Sequence, residues 1–159
     1  YNNIELPLST VLAKMELNGI RVDANILNDM KKDIKEKIDD VSKKIYNLAW
    51  KEFNISSPQQ LGNILFEKLN LPHSKKGKNG YSTAIEVLTK LKDKHPIINR
   101  IMKYRMLTKL YTTYIEGLLN SISEDGKIHT IYMQTLTKTG RLWRRSAARI
   151  SPRRSWSTR

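Results

Sequence analysis

Apolar residues recur every three or four positions along most of the chain, which is the spacing of one face of an α-helix. A first short run of this kind predicts a helix that Gly19 ends as a C-cap. A longer run extends from residue 24 to about residue 50, and its apolar positions form one seam: Leu27, Met30, Ile34, Ile38, Val41, Ile45 and Leu48. A single seam with charged residues elsewhere predicts a long helix packed along one side, like one arm of a coiled coil.

Capping residues divide the middle of the chain into shorter helices. Ser57 is placed as an N-cap, with Pro58 as the first helical residue and Gln60 as the partner of Ser57 in a capping box. Thr83 and Glu86 have the same spacing, so a second short helix is expected to begin there.

The fold predicted from this pattern is mainly α. Ala24–Trp50 and Pro96–Asn120 are expected to form a long antiparallel helical hairpin, with small helices and a basic loop at its tip. A turn at residues 124–126 then leads into an extended run, Lys127–Thr137, which predicts one or two β-strands. This run has no evident strand partner in the sequence.

The composition is that of a protein without disulfides or membrane spans. Of 159 residues, 39% are apolar and 28% charged, and none is cysteine. No run approaches the roughly 18 apolar residues of a spanning helix, and no basic region followed by an apolar block marks a secretion signal. We therefore expect a protein of a reducing compartment, cytoplasmic or organellar, with no membrane partner and no thiolate metal site.

The net charge of +14 points to a polyanionic partner. No acid occurs between Asp93 and Glu116, so the last long helix carries only positive charge over that length. Three further lysines, Lys75, Lys76 and Lys78, lie in a glycine-containing loop, which is either a solvated loop or a flexible basic tip that binds phosphates without reading sequence. Composition alone leaves open whether the charge binds nucleic acid or only keeps the chain in solution.

Several short motifs follow one another in a fixed order. They include Leu6-Pro7-Leu8, Gly19-Ile20-Arg21-Val22-Asp23, Phe53-Asn54-Ile55-Ser56-Ser57, Arg105-Met106-Leu107-Thr108-Lys109-Leu110 and Thr137-x-Thr139-Gly140-Arg141-Leu142. This succession resembles the thumb and the start of the palm in bacterial-type DNA polymerase I, the family A DNA polymerases, over about residues 4–142. The resemblance implies a lead-in helix and link over 1–23, a thumb-like helical domain over 24–122 and the start of a palm over 123–142.

The same resemblance implies contact with double-stranded primer–template DNA, through its phosphate backbone. The residues that it places at the DNA are Asn54, Ser56, Ser57, Lys75, Lys76, Lys78, Ser82, Thr83, Lys109, Thr112, Thr113, Gln134, Thr137 and Arg141. Arg141 matches a family arginine that approaches the minor groove, where every correct base pair presents similar acceptors. The contact is therefore expected to be blind to sequence.

No catalytic constellation is predicted within the chain. His73, His95 and His129 are scattered, without a second ligand at metal-binding spacing. By resemblance, the carboxylates that hold two metal ions and the nucleotide-binding fingers belong beyond residue 142. We therefore expect no catalytic residue, metal ligand or cofactor in this fragment, which should be inactive alone because the remaining palm and the fingers are missing. Magnesium is expected for the full polymerase.

Residues 143–159 depart from the family pattern. They are rich in arginine and contain neither lysine nor acid, which predicts disorder. A frame change or a fusion after Leu142 is the favoured explanation, and a native arginine-rich arm is the alternative. On the residues alone, two other functions stay open for the whole chain: a stand-alone helical nucleic-acid-binding protein and a coiled-coil interaction protein.

Overall fold

The computed structural model describes residues 2–72, 77 and 80–134, together with the backbone of residues 143–145. In chain order its elements are α1 (Glu5–Asn18), β1 (Ile20–Arg21), α2 (Ala24–Ala49), α3 (Pro58–Gly62), the π-helical segment π1 (Asn63–Lys68), α4 (Ile85–Lys90), α5 (Pro96–Lys109), the π-helical segment π2 (Leu110–Glu116), α6 (Gly117–Leu119), β2 (Lys127–Ile128), β3 (Ile131–Met133) and β4 (Trp143–Arg145). The mainly helical fold is thus confirmed.

The chain divides into two compact units. The helical unit is Met30–Thr112, and the mixed unit combines Tyr1–Asp29 with Thr113–Arg159. The domain limits expected from the resemblance, 24–122 and 123–142, concern the parts of a polymerase and stay predictions. No helix in the described part of the chain is long and apolar enough to cross a membrane.

Within the helical unit, α2 and α5 run antiparallel. Lys31 Nζ of α2 lies 5.6 Å from the ring centroid of Tyr111, which follows α5. Farther along α2, Asp40 lies close enough to Lys103 and Arg100 for their charges to act on its carboxylate. Residue numbers therefore rise along one helix as they fall along the other, as expected for the predicted hairpin.

The core of the helical unit is drawn from every helix in it. Its fully buried side chains include Val41, Ile45, Leu61, Leu65, Leu88, Ile97, Ile98 and Ile101. The seam read from the sequence explains Ile34, Val41 and Ile45, which are buried on one face of α2. Burial of each such side chain contributes roughly 1.5–3 kcal/mol, so this unit has a substantial apolar core of its own.

The last long helix is continuous over residues 96–119 but changes its winding. Pro96 begins it after His95, whose Nδ1 accepts a hydrogen bond from the Ile97 N–H. After Lys109 the segment π2 takes over, and a short α-helical turn follows. The predicted extent is confirmed, whereas the π-helical segment carries no sequence signal that periodicity detects. Such segments are uncommon and often lie at functional sites.

Two predicted helix starts need correction. Ser57 does cap α3, since its side chain accepts from the Gln60 N–H, but the Gln60 side chain accepts from the Asn54 N–H at 2.8 Å rather than from Ser57. Thr83 does not cap α4, because the N-cap is Ala84 and makes no side-chain cap bond. Thr83 is instead buried, with a partner described below.

The mixed unit contains two small antiparallel sheets. In one, Ile20 pairs with Ile128 and Arg21 with Lys127. In the other, β3 pairs with β4, with Ile131 opposite Arg145. The predicted extended run Lys127–Thr137 therefore does have strand partners. They are β1, which comes before it in the chain, and β4, which comes after it. Backbone pairing explains why β4 forms although its sequence lacks apolar periodicity, and it contradicts the prediction of disorder for Trp143–Arg145. Residues 146–159 lie outside the described part.

Two side chains, Lys127 of β2 and His129 directly after β2, cap the carboxyl end of α1. His129 Nδ1 lies 2.7 Å from the Glu16 carbonyl oxygen, and Lys127 Nζ donates to the Asn18 carbonyl at 2.9 Å. The last turn of α1 has no basic residue of its own. Gly19, with φ +62°, lets the His129 ring approach, because a Cβ there would lie 2.7 Å from the ring. Residues more than one hundred positions apart thus complete one helix end.

Candidate nucleic-acid interface

The loop before α3 presents hydroxyl groups at a helix start. Asn54 Oδ1 accepts from the Ser56 N–H at 3.0 Å, and the Asn54 carbonyl accepts from the Ser57 N–H at 3.0 Å. Ser57 Oγ then accepts from the Gln60 N–H at 3.5 Å. Asn54 and Ser56 are exposed, so both can reach a phosphate. Several of their polar groups already form hydrogen bonds within the loop and fix its conformation.

This loop also contacts α5. Ser56 Oγ lies 3.3 Å from the hydroxyl oxygen of Tyr104. The contact places the exposed serine beside the long helix of the same unit. The sequence predicted both segments at DNA but gave no sign that they touch, since they are separated by 48 positions.

Arg105 holds the segment that leads into α4. Its Nη1 donates to the Thr83 carbonyl, and its Nη2 donates to Thr83 Oγ1 at 3.0 Å. Burial lowers the pKa of Arg105, but a guanidinium stays charged in proteins. Thr83, expected to contact DNA, is only 6% exposed and has Arg105 as its partner. Arg105 was not expected as a site residue, and only the fork-shaped guanidinium hints at such bidentate binding.

Ser82, next to Thr83, is exposed, and its Oγ accepts from the Ala84 N–H at 3.5 Å. Because Arg105 fixes the neighbouring residue, Ser82 stands on an anchored stretch of backbone. An exposed hydroxyl held in this way can donate to a phosphate oxygen.

The positive charge of α5 is partly balanced by α2. A hydrogen bond from Lys44 lowers the pKa of Asp40 most, and the charges of Lys44, Lys103 and Arg100 lower it further against the opposing effect of desolvation. α5 itself contains no acid, as expected, and the carboxylate on which its cations act is supplied by the neighbouring helix α2.

Lys109 closes α5 on the exposed surface. No acid among the described residues lies within ion-pair distance of it, so its ammonium is available to an anion. It lies four positions after Arg105, about one helical turn. Lys109 thus presents an exposed ammonium near the residue that fixes Thr83.

Two threonines of the predicted site lie in π2. Thr112 Oγ1 donates to the Thr108 carbonyl at 2.9 Å, and Thr112 and Thr113 are both exposed. Thr112 belongs to the helical unit and Thr113 to the mixed unit. Because a π-helical segment has more residues per turn than an α-helix, it shifts the direction of the side chains that follow Lys109.

In the mixed unit, Gln134 is tied to the start of α1. Its Nε2 donates to the Glu5 carbonyl at 3.1 Å and to Glu5 Oε2 at 3.0 Å. The remaining residues expected at DNA, Lys75, Lys76, Lys78, Thr137 and Arg141, lie outside the described residues.

The described residues hold no group of three His, Asp or Glu side chains that would bind a metal ion. His95 caps α5 and His129 binds the end of α1, so both have structural partners. His73 lies outside the described part.

Comparison with known proteins places these features in context. Residues 24–147 match the family model for DNA polymerase family A. DNA polymerase I of Lactococcus lactis subsp. cremoris is 52% identical over 141 residues, which are 89% of this chain and 16% of that protein. DNA polymerase I of Geobacillus stearothermophilus is 50% identical over 140 residues, 87% of this chain and 16% of that protein. This chain therefore spans about one sixth of such relatives.

A solved structure has the same fold. It is described as the POL domain of Pol1 from M. smegmatis in complex with DNA primer-template and dNTP. The TM-score is 0.81 at 39% sequence identity, over 89% of this chain and 25% of that one. That structure therefore contains DNA bound to a polymerase domain. This chain resembles one quarter of that domain.

Proposed function

The chain belongs to DNA polymerase family A, and from that premise we propose that it is the thumb and the start of the palm of a DNA-directed DNA polymerase that acts in replication and repair. Its part is to hold double-stranded primer–template through the phosphate backbone. The observation that carries the proposal is the likeness, over 89% of the chain, to a polymerase domain solved with primer–template.

The geometry of the helical unit supports such a part. Exposed hydroxyls at the start of α3 lie beside α5 through the Ser56–Tyr104 contact. On α5 itself, Arg105 anchors the segment that carries Ser82, and Lys109 offers an uncompensated ammonium. Hydroxyls, a helix start and a lysine are donors that suit phosphate oxygens and discriminate little between bases. Sequence-independent retention of duplex DNA follows from that chemistry.

Nucleotide addition requires groups outside the described residues. We expect the full polymerase to use magnesium to neutralise charge on the transferring phosphoryl group. By the family resemblance, the metal-holding carboxylates and the fingers belong beyond residue 142, so this chain alone is expected to bind primer–template without extending it. The remaining palm and the fingers of the polymerase are its expected partners.

A salt titration of duplex binding tests the proposal. The logarithm of affinity should fall linearly with the logarithm of salt, with a slope of about −0.9 for each phosphate that the protein neutralises. Lys109→Ala should reduce that slope by about one and weaken all duplex sequences alike. Lys35→Ala, which removes an exposed lysine from α2, is the matched control and should leave the slope nearly unchanged.

The lysine-rich loop allows a larger test. Replacing Lys75, Lys76 and Lys78 together with alanine should reduce the slope by up to about three. Duplex affinity that is indifferent to salt would refute the proposal and favour a coiled-coil interaction protein. Primer extension by the isolated chain would equally contradict the part assigned to it.

A further inference from the structure

Trp50 combines two unusual properties in the helical unit. It is 86% exposed, the highest value among the exposed large apolar residues of the described chain. Its φ of +55° lies in the left-handed region, where Asn70 is the other non-glycine residue among those described. A bulky side chain rarely adopts that conformation, because its Cβ crowds the following carbonyl.

The turn at Trp50 is needed by the fold, but the indole is not. The residue follows the end of α2, and Lys68 Nζ donates to the Ala49 carbonyl at 2.8 Å and to the Trp50 carbonyl at 3.3 Å. Both acceptors belong to the backbone, so a glycine would make the same turn and keep the same bonds without strain. The fold therefore gives no reason for a large aromatic side chain here. An observed strained residue of this kind is a legitimate starting point for a functional inference.

An open groove of about 400 Å³ lies beside the indole. It is lined by Tyr46, Asn47, Trp50, Lys51 and Glu52. The Tyr46 ring is held by edge-on packing against Phe53, with 5.9 Å between ring centroids. The groove thus has a fixed aromatic wall, an exposed aromatic plane, an amide and an ammonium.

These groups suit one class of ligand, an unpaired nucleotide. An indole stacks on any base, an amide can meet a base edge, and a lysine can meet the adjoining phosphate. Within the groove the charge of Glu52 offsets that of Lys51, and Lys43, one helical turn before Asn47 on the same face, adds a positive charge beside it. The net charge of +14 adds long-range attraction for a polyanion.

We propose that Trp50 is a stacking platform for an unpaired base of a single-stranded stretch of nucleic acid, with Lys51 at its phosphate. The ligand class rests on the proposed function, but the site is distinct from the duplex-binding groups described above. Base stacking is tolerant of sequence, so the platform is expected to bind single strands generally.

Trp50→Gly is the decisive variant, because it predicts two changes of opposite direction. Affinity for a fluorescently labelled oligothymidylate, measured by anisotropy, should fall about 5- to 150-fold, which is the range for one lost base stack. The melting temperature should rise, since glycine removes the left-handed strain. Affinity for a blunt duplex of equal length should stay unchanged.

Two further variants complete the test. Asn70→Gly relieves a residue of similar φ, +50°, without removing an aromatic ring, so its oligothymidylate affinity should match that of the original chain. Trp50→Phe keeps a ring and should lose less affinity than Trp50→Gly.

Three outcomes would overturn the platform. Unchanged oligothymidylate affinity in Trp50→Gly is one, and an equal loss for single strand and duplex is another. The third is a change of self-association in sedimentation with intact single-strand affinity, which would assign Trp50 to a protein contact. Failure of the proposed function would give a different result from failure of the platform. Duplex binding would then be absent, while Trp50→Gly would still lower the affinity for single strands.

Discussion

The two units of the chain differ in how they hold together. The helical unit buries side chains completely, among them Ile45, Leu61 and Ile101. The mixed unit buries fewer apolar side chains among its described residues, namely Leu12, Ile115 and Ile128, and leaves others in solvent, such as Leu17 at 80% exposure. What joins its distant segments is a set of polar bonds from residues 127–134 to α1. One unit is therefore stabilised by a large apolar core, and the other by a smaller one together with these hydrogen bonds.

This difference bears on what each unit can do alone. An apolar core drives cooperative folding of the residues that form it, whereas exposed hydrogen bonds contribute little net stability each. Contiguous exposed apolar surface is also typical of an interface. We expect the helical unit to keep its structure in isolation better than the mixed unit does. The four predictions below test that contrast, from the largest expected effect to the smallest.

Removing core volume should give the largest effect. Ile101→Ala deletes a fully buried side chain of α5 and should lower the free energy of unfolding of the helical unit by about 2–5 kcal/mol. Leu17→Ala in α1 is the matched control, since a side chain so exposed should change stability by less than about 0.5 kcal/mol. Urea denaturation followed by residue-resolved hydrogen exchange measures both. Equal losses in the two variants would refute the contrast.

Breaking the Arg105–Thr83 contact should have the second largest effect. Arg105→Met keeps a flexible unbranched stem but removes the guanidinium, which leaves the Thr83 carbonyl and hydroxyl without their donors. We expect a loss of roughly 1.5 kcal/mol, in the range for hydrogen bonds to charged groups. Exchange protection should fall locally around Thr83 and at the start of α4.

Arg100→Met provides the comparison for that result. Arg100 is exposed, and the charge that it contributes near Asp40 is screened by solvent, so its removal should be nearly neutral. A similar loss in both variants would mean that general charge, rather than the fork-shaped contact, stabilises the unit.

The helices of this fold were readable from sequence because their signals are local. The seam of α2 and the cap at Ser57 each lie within a few turns of chain, and both were found. The strand pairs were missed because pairing joins Ile20 to Ile128, and no local pattern encodes such a partner. The same holds for Arg105 and Thr83, whose contact spans 22 positions. Capping spacing misplaced Thr83 because burial by a distant arginine overrode local preference.

The candidate site was predicted from the resemblance to the polymerase family more than from the pattern of apolar and polar positions. Periodicity identified α5 as cationic, but it did not reveal that Asp40 of α2 lies beside Arg100 and Lys103. Periodicity also did not distinguish Lys109, which lacks an acidic partner among the described residues, from the other cations of α5. Trp50 went unnoticed because a left-handed φ is a property of the backbone, and tryptophan gives no warning of it.

Removing the cap at α3 should have a smaller effect than either change above. Ser57→Ala deletes the acceptor for the Gln60 N–H, which typically costs about 1 kcal/mol. The 3.5 Å separation is long for a hydrogen bond, so we expect the lower part of that range, about 0.5 kcal/mol. Ser57→Asp should retain stability as an alternative cap, while weakening duplex affinity if this loop meets phosphate. Unchanged affinity in Ser57→Asp would remove the start of α3 from the DNA-binding surface.

The smallest expected effect is a dependence of the mixed unit on pH through His129. Its ring nitrogens face two acceptors, the Glu16 carbonyl and Asp125 Oδ2 at 3.0 Å, so both contacts are donated only by the charged imidazolium. The hydrogen bond to Glu16, and next that to Asp125, raises the pKa of His129 above its ordinary 6.5, although desolvation and Lys127 oppose the change. The stabilisation is therefore complete below about pH 6.5 and is lost as pH rises through the raised value.

Asp125 of the same cluster contributes stability with the opposite dependence on pH. Desolvation acts to raise the pKa of Asp125, but hydrogen bonds from the His129 side chain and the Lys127 backbone hold it below its ordinary 3.8. Its contribution is present above about pH 3.8 and is lost as pH falls through the lowered value. Between these limits, His129⁺ and Asp125⁻ both favour the bonded arrangement at the end of α1.

Hydrogen exchange at Gly19 and in the last turn of α1, corrected for the intrinsic dependence on pH, measures this effect. Protection should decline as pH rises above about 6.5, and His129→Gln should abolish the decline because glutamine does not titrate. His95→Gln, in the helical unit, should leave it in place. If protection in the original chain were flat across this range, or if His95→Gln removed the decline, α1 would not be held through His129, and the mixed unit would need another source of cohesion.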